Sequence, residues 1–239
     1  SCRMRPLLLA LLLLPLAAAF AGVDISAGTS VSAFQCLIAN GWHFFIGRIF
    51  RSDGVYDSTG AQNMKNAKAA GMRNVDAYIF PCVSSGCPSA ASQVQTAVNR
   101  MRSEGVPFGM LWLDIERYAW PGDQNYNRNF ILQMANQASA MGVTVGVYSN
   151  NNNWQSIVGI GWTGVARYPL WWANYNNRQD FSNFVPFGGW GRPAIHQYYG
   201  DYRGMCGIDV DLNWYPDGAE DEFTRRFLAY RNGTIKSML

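Results

Sequence analysis

Histidine is nearly absent from this chain of 239 residues. There are two, His43 and His196, and neither stands in a His-Glu-x-x-His pattern. Cys-x-x-Cys spacing is missing as well, so the usual marks of a zinc site are lacking, and no metal or other cofactor is expected. Charge is sparse: Lys, Arg, Asp and Glu are 15% of the residues, no run of like charge occurs, and the formal net charge is +3. Such a balance lacks the basic footprint of a nucleic-acid binder. Beyond residue 21 no apolar stretch approaches the roughly 20 residues that span a bilayer. No linker or internal repeat divides the chain, so a single domain is expected over residues 22–239.

What is present begins with a leader. Arg3 and Arg5 precede an unbroken apolar run at 7–14, and Ala19-Phe20-Ala21 fits the small-x-small rule for cleavage. Residues 1–21 thus read as a signal peptide, with no membrane attachment after its removal. Its loss removes two arginines and no acids, taking the formal net charge from +3 to +1. The expected destination is the extracellular space, or the lumen of a lysosome-like or phagosomal compartment. Cleavage also removes Cys2 and leaves Cys36, Cys82, Cys87 and Cys206. An even number in a secreted chain suggests two disulfides, with three possible pairings. Cys82 and Cys87 lie close enough in sequence to staple a local loop, which assigns Cys36 to Cys206. Asn232-Gly233-Thr234 matches the acceptor pattern for N-glycosylation.

Eight β-like runs follow one another: 22–26, 43–50, 74–80, 108–116, 143–149, 169–175, 194–199 and 208–214. Several are continuously apolar, as strands buried on both faces are. Helical spacing marks 61–70, 89–103 and 126–141, ending at Gly71, before Gly105 and at Gly142. Asn150–Asn153 reads as a polar turn and 180–191 as a loop. The alternation predicts an α/β fold: an irregular TIM-like β/α-barrel of eight strands and fewer than eight helices. A doubly wound open sheet is the second choice.

In a barrel, catalytic groups belong at the carboxyl ends of strands. By that rule Asp24, Asp114, Glu116 and one or both of Asp209 and Asp211 converge on one mouth. Asp114 and Glu116 share a strand face about 6.5–7 Å apart along the chain. Two carboxyls so placed in an apolar cleft raise one another's pKa, which keeps one of them available as a general acid. Hydrolysis of a glycosidic bond uses that arrangement. Nine Trp and twelve Tyr serve both core filling and the apolar faces of sugars. Strand counting places Tyr78, Tyr148 and Trp172 near the mouth as sugar-binding candidates, whereas His196 reads as structural.

Four segments then carry a resemblance. Gly22-Val23-Asp24-Ile25-Ser26, Leu113-Asp114-Ile115-Glu116, Pro169-Leu170-Trp171-Trp172-Ala173 and Asp211-Leu212-Asn213, in that order, resemble glycoside hydrolase family 25. These are the Chalaropsis-type lysozymes, or N-acetylmuramidases. Ser32-Ala33-Phe34-Gln35-Cys36 and Phe80-Pro81-Cys82 are similar to its nematode and amoeba branch. The resemblance implies a monomeric enzyme acting on peptidoglycan glycan strands, at the β-1,4 bond between N-acetylmuramic acid and N-acetylglucosamine. It implies Glu116 as general acid/base. Asp114 is implied as nucleophile or as the group orienting the 2-acetamido oxygen, with Asp24 and Asp211 (or Asp209) as substrate-binding acids. Two alternatives stand beside it. A chitinase-like glycosidase also ends a strand in Asp-x-Glu, but requires upstream acids that 108–112 does not supply. A non-catalytic barrel that binds peptidoglycan or chitin is the other.

Overall fold

Continuously apolar runs become strands covered on both faces, and in this chain they close on themselves. A computed structural model describes residues 20–217, 222–236 and 238. The elements are β1 (Phe20–Ile25), α1 (Val31–Ala39), β2 (Trp42–Phe50), α2 (Ser58–Ala69), β3 (Asn74–Ile79), α3 (Ala90–Ser103) and β4 (Met110–Asp114). They continue with α4 (Gln124–Ala140), β5 (Thr144–Ser149), α5 (Asn151–Ile157), β6 (Leu170–Ala173), β7 (Ile195–Met205), β8 (Ile208–Tyr215) and α6 (Glu222–Arg231). The strands form a closed barrel in chain order. The expected eight-stranded α/β barrel is therefore the fold, with helices in the first five crossovers. The leader expected at 1–21 lies outside the described residues as far as residue 19, and β1 begins two residues ahead of Gly22.

Two readings need correction. Asn150–Asn153 is not a turn: Asn150 caps α5, its side chain accepting from Asn153 N at 2.9 Å. Asn is a poor interior helix former but a strong N-cap, so an Asn run conceals a helix start. The second concerns strand direction. Neighbours from β1 to β7 are parallel, but β8 is antiparallel to both β7 and β1. Asp211 therefore reaches the mouth from the amino half of a descending strand, not from a carboxyl end. The reversal is made at Cys206-Gly207, where both residues have positive φ, 54° and 77°. That is the backbone a two-residue primed hairpin turn demands.

Inside the barrel, side chains pack in layers, and two glycines make room for rings. A Cβ at Gly22 would lie 2.4 Å from the Phe44 ring, and one at Gly146 would lie 2.3 Å from the Trp112 ring. At the floor, α6 closes the barrel. Phe227 is fully buried against Trp112 and Tyr215. The Tyr230 hydroxyl donates to Val145 O at 3.0 Å and accepts from Val145 N at 3.3 Å. Arg231 reaches Asp76 on β3 at 2.7 Å, with both side chains buried.

Cys36–Cys206 and Cys82–Cys87 are disulfide-bonded. The first ties α1 to the hairpin turn across 170 residues of sequence. Replacing Cys36 by alanine and Cys206 by glycine, which tolerates the turn's φ, is expected to lower the thermal unfolding midpoint. The chain-entropy model sets the loss at up to about 5 kcal/mol. A midpoint equal to that of the parent protein would refute this.

Candidate active site

The mouth is built where β1, β3, β4, β5, β7 and β8 bring alternate side chains inward. β4 is fully buried from Met110 to Leu113 and ends in Asp114. The ladder continues one step further, with Ile115 N donating to Tyr148 O at 2.9 Å. Ser149 Oγ donates to Ile115 O at 2.7 Å, and the Trp120 indole donates to Glu116 O at 3.0 Å. The backbone on both sides of Glu116 is thus held, and Glu116 falls on the same face as Asp114.

Asp24 on β1 faces Asp211 on β8 in direct register. One oxygen of Asp24, Oδ1, accepts from Asn213 Nδ2 at 2.7 Å and from Gln197 Nε2 at 2.8 Å. Asp211 Oδ1 accepts from Asp201 N at 2.6 Å, and its Oδ2 lies 3.4 Å from Gln197 Nε2. Asp209 is placed differently. It is exposed on the hairpin, where its carboxylate accepts from Gly204 N at 3.2 Å.

Four carboxyls in one partly dry mouth cannot all ionise readily. Burial pushes the Asp114 carboxyl well up, and the charges of Glu116 and Asp24 add to it, against the opposing charge of Arg48. Arg48 is held beneath by Asp57, the N-cap of α2, at 2.7 Å. Burial also raises Asp24, with Asp211 adding and the Asn213 and Gln197 amides opposing. Glu116 is raised by burial and then by Asp211. Asp211 is raised by burial, with the Asp201 N–H opposing. Asp114 Oδ1 is buried with no hydrogen-bond partner.

Beside Glu116 lies a cleft of about 390 Å³, lined among others by Tyr148, Asn150, Trp172, Tyr175 and Asn183. This is a size suited to a sugar. Tyr148 is buried, its hydroxyl donating to Gln197 Oε1 at 2.7 Å. Tyr78 sits on the inner face of β3; burial and the charges of Asp24 and Asp114 push its phenol well up. The ring that points into the barrel from β6 is Trp171, 4.6 Å from Tyr148 and 5.8 Å from Trp112. Trp172 takes the opposite face, stacked on His196 at 4.3 Å and against Phe184 at 5.3 Å, with part of it reaching the cleft. His196 is fully buried and spans two backbone carbonyls, those of Asn174 and Asp180, at 2.8 Å each. Its place is structural.

Sequence reasoning missed Gln197, Asn213 as a contact of Asp24, and Tyr175. Asn213 was visible only as the last letter of Asp211-Leu212-Asn213. Gln197 had a signal in strand parity, since it stands two residues beyond Ile195 on the inner face. Among the described residues no group of three or more His, Cys, Asp or Glu is arranged to hold a metal ion.

Comparison with known proteins bears on the family and the fold. A family model described as Lysozyme-like protein 1 matches residues 16–198. Lysozyme-like protein 5 of Caenorhabditis elegans is 47% identical over 195 residues, covering 82% of this chain and 91% of the relative. Probable GH family 25 lysozyme 4 of Dictyostelium discoideum is 41% identical over 199 residues, covering 83% and 92%. A solved muramidase from Acremonium alcalophilum shares the fold, with a TM-score of 0.68 at 23% identity over 90% of this chain and 99% of the other. The chain belongs to glycoside hydrolase family 25 and is a glycoside hydrolase.

Proposed function

We propose that this protein is a secreted lysozyme that cleaves the β-1,4 bond between N-acetylmuramic acid and N-acetylglucosamine in bacterial peptidoglycan. The observation that carries the reading is the convergence of Asp24, Asp114, Glu116 and Asp211 on one mouth, where burial and mutual charge keep the four from ionising together, so that Glu116 can hold a proton beside an ionised partner. Glu116, the one of the four that lines the cleft, gives its proton to the glycosidic oxygen as the bond to the anomeric carbon breaks. It then takes a proton from the incoming water. Asp114, buried behind it, supports the positive charge that develops on the sugar. Asp24 and Asp211 hold the sugar's polar groups, and Tyr78, Tyr148 and Trp172 meet its rings and hydroxyls. Relatives named as lysozymes support this substrate, and two disulfides suit an oxidising compartment.

Mass spectrometry of products from purified peptidoglycan tests the reading. Fragments with muramic acid at the new reducing end are expected. Reducing-end glucosamine, or turnover of chitin with none of peptidoglycan, would overturn it.

A further inference from the structure

Asn232-Gly233-Thr234 stands where α6 ends, at the barrel floor. Gly233, with φ 73°, closes the helix. Its N–H donates to Tyr230 O at 3.0 Å, and Thr234 N donates to Ala229 O at 2.8 Å. These are the paired bonds by which a glycine ends a helix. The backbone of the segment is therefore committed, but its side chains are not. All three residues are exposed. Among the described residues, neither the Asn232 amide nor the Thr234 hydroxyl makes a side-chain hydrogen bond.

Beside Asn232 lies a groove of about 320 Å³ that the hydrolytic site does not use, lined by Lys68, Arg73, Asn74, Pro107 and Phe108 as well. It reaches inward to the buried Asp76–Arg231 pair. A Cβ at Gly109, on its rim, would lie 2.9 Å from Asp76 Oδ1. Lys68 and Arg73 are exposed and form no ion pair among the described residues, so their N–H groups are open to neutral acceptors. Pro107 and Phe108 are half-buried and offer apolar surface. Donors beside an aromatic ring, in a space of this size, suit a pyranose that carries hydroxyls and an acetamido carbonyl.

We propose that Asn232 is an N-glycosylation site and that the first N-acetylglucosamine of its glycan lies in this groove, over the buried ion pair. The inference rests on the secretion proposed above and extends it. In the transfer, Asn232 Nδ2 bonds to the anomeric carbon of that sugar as the bond from the carbon to the diphosphate of a lipid-linked oligosaccharide breaks. The lipid diphosphate leaves, and the amide gives one proton to a base of the transferring enzyme. Thr234 supplies the hydroxyl that such an acceptor requires two residues on. The floor faces away from the acids, so the glycan leaves the mouth open. Once seated, it takes the place of water above Asp76 and Arg231.

The test secretes the full chain from cultured eukaryotic cells. The glycan is removed with an amidase that turns a linked asparagine into aspartate, and peptides are mapped by mass spectrometry. Aspartate at position 232 is expected in the native chain and asparagine in Thr234→Ala. The glycan-free variant is expected to unfold about 2–4 °C lower, the shift that one hydrogen bond's worth of stability makes in a chain of this size. Its Gly109 and Met110 amides, bonded to Val75 O and Asp76 Oδ1, should exchange about fivefold faster. Made in cells that do not glycosylate, the two chains should unfold together, which separates the glycan from the substitution. Arg73→Met removes a donor from the groove and should narrow the gap between the secreted forms. A secreted chain with Asn232 unmodified would overturn the inference and leave secretion standing. A glycan that changes neither midpoint nor exchange would overturn its seat in the groove. A chain kept inside the cells with residues 1–21 in place would overturn secretion and this inference with it.

Discussion

Glu116→Gln is expected to lower turnover of peptidoglycan by at least about 10²-fold, and by as much as about 10⁴-fold, with folding and glycan binding retained. Glutamine keeps the shape and one oxygen but cannot deliver a proton to the leaving group. The residue's burial and the nearby Asp211 charge favour its protonated form, so the acid is present at a pH where an ordinary glutamate has lost it. The sign of the pH dependence follows. Turnover falls as pH rises through the pKa of Glu116, and that falling limb lies above the range of an exposed glutamate. Asp211→Asn removes a charge that raises Glu116, so it moves the limb toward lower pH. Steady-state rates across pH, with circular dichroism to check the fold, decide the matter. Near-native turnover by folded Glu116→Gln would sink the assignment.

Arg231→Met is expected to destabilise the protein by about 3 kcal/mol while leaving kcat at a permissive temperature unchanged. Asp76 is fully buried, accepting from Met110 N at 3.0 Å, the Trp112 indole at 3.3 Å and Arg231 Nη2 at 2.7 Å. Without the guanidinium, a carboxylate is left in the barrel floor with two neutral donors. Stranding one partner of a buried pair typically costs about 3–5 kcal/mol. The lower end applies because Arg231 Nη1 is buried with no partner, and methionine relieves that cost. Asp76→Asn combined with Arg231→Met removes the stranded charge and should recover part of the loss. Urea unfolding of the single and double variants measures both. A single-variant loss below about 1 kcal/mol would contradict the argument.

The strands and the acid pair were legible because each rests on a local pattern. A run such as Met110-Leu111-Trp112-Leu113 can be satisfied only by burial on both faces, and Asp-x-Glu at its end puts both acids on one side. The direction of β8 was not legible from its own residues, since a strand sequence carries no arrow. Its arrow is set at Cys206-Gly207, where the positive φ of a cysteine leaves little trace in the letters. At Trp171-Trp172 the sequence did not show which ring enters the barrel and which lines the cleft. Two adjacent tryptophans look alike, and the register with Ile195 and His196 decides which one enters the barrel. Gln197 escaped notice for a different reason. It is uncharged, and its importance comes from four partners on separate segments, Asp24, Tyr148, Tyr175 and Asp211, which only the closed barrel brings together.

The descending last strand also settles how the molecule can be held. Since β8 enters at the mouth and leaves at the floor, where Tyr215 pairs with Phe20, α6 emerges on the side turned away from the acids. A linker fastened behind α6, to a bead or to a second folded unit, would leave the opening facing the medium and a long polymer free to thread through it. The same linker at Cys206-Gly207 would strain the turn and crowd its disulfide to Cys36 on α1. An enzyme immobilised by its floor should therefore keep its rate on insoluble cell walls.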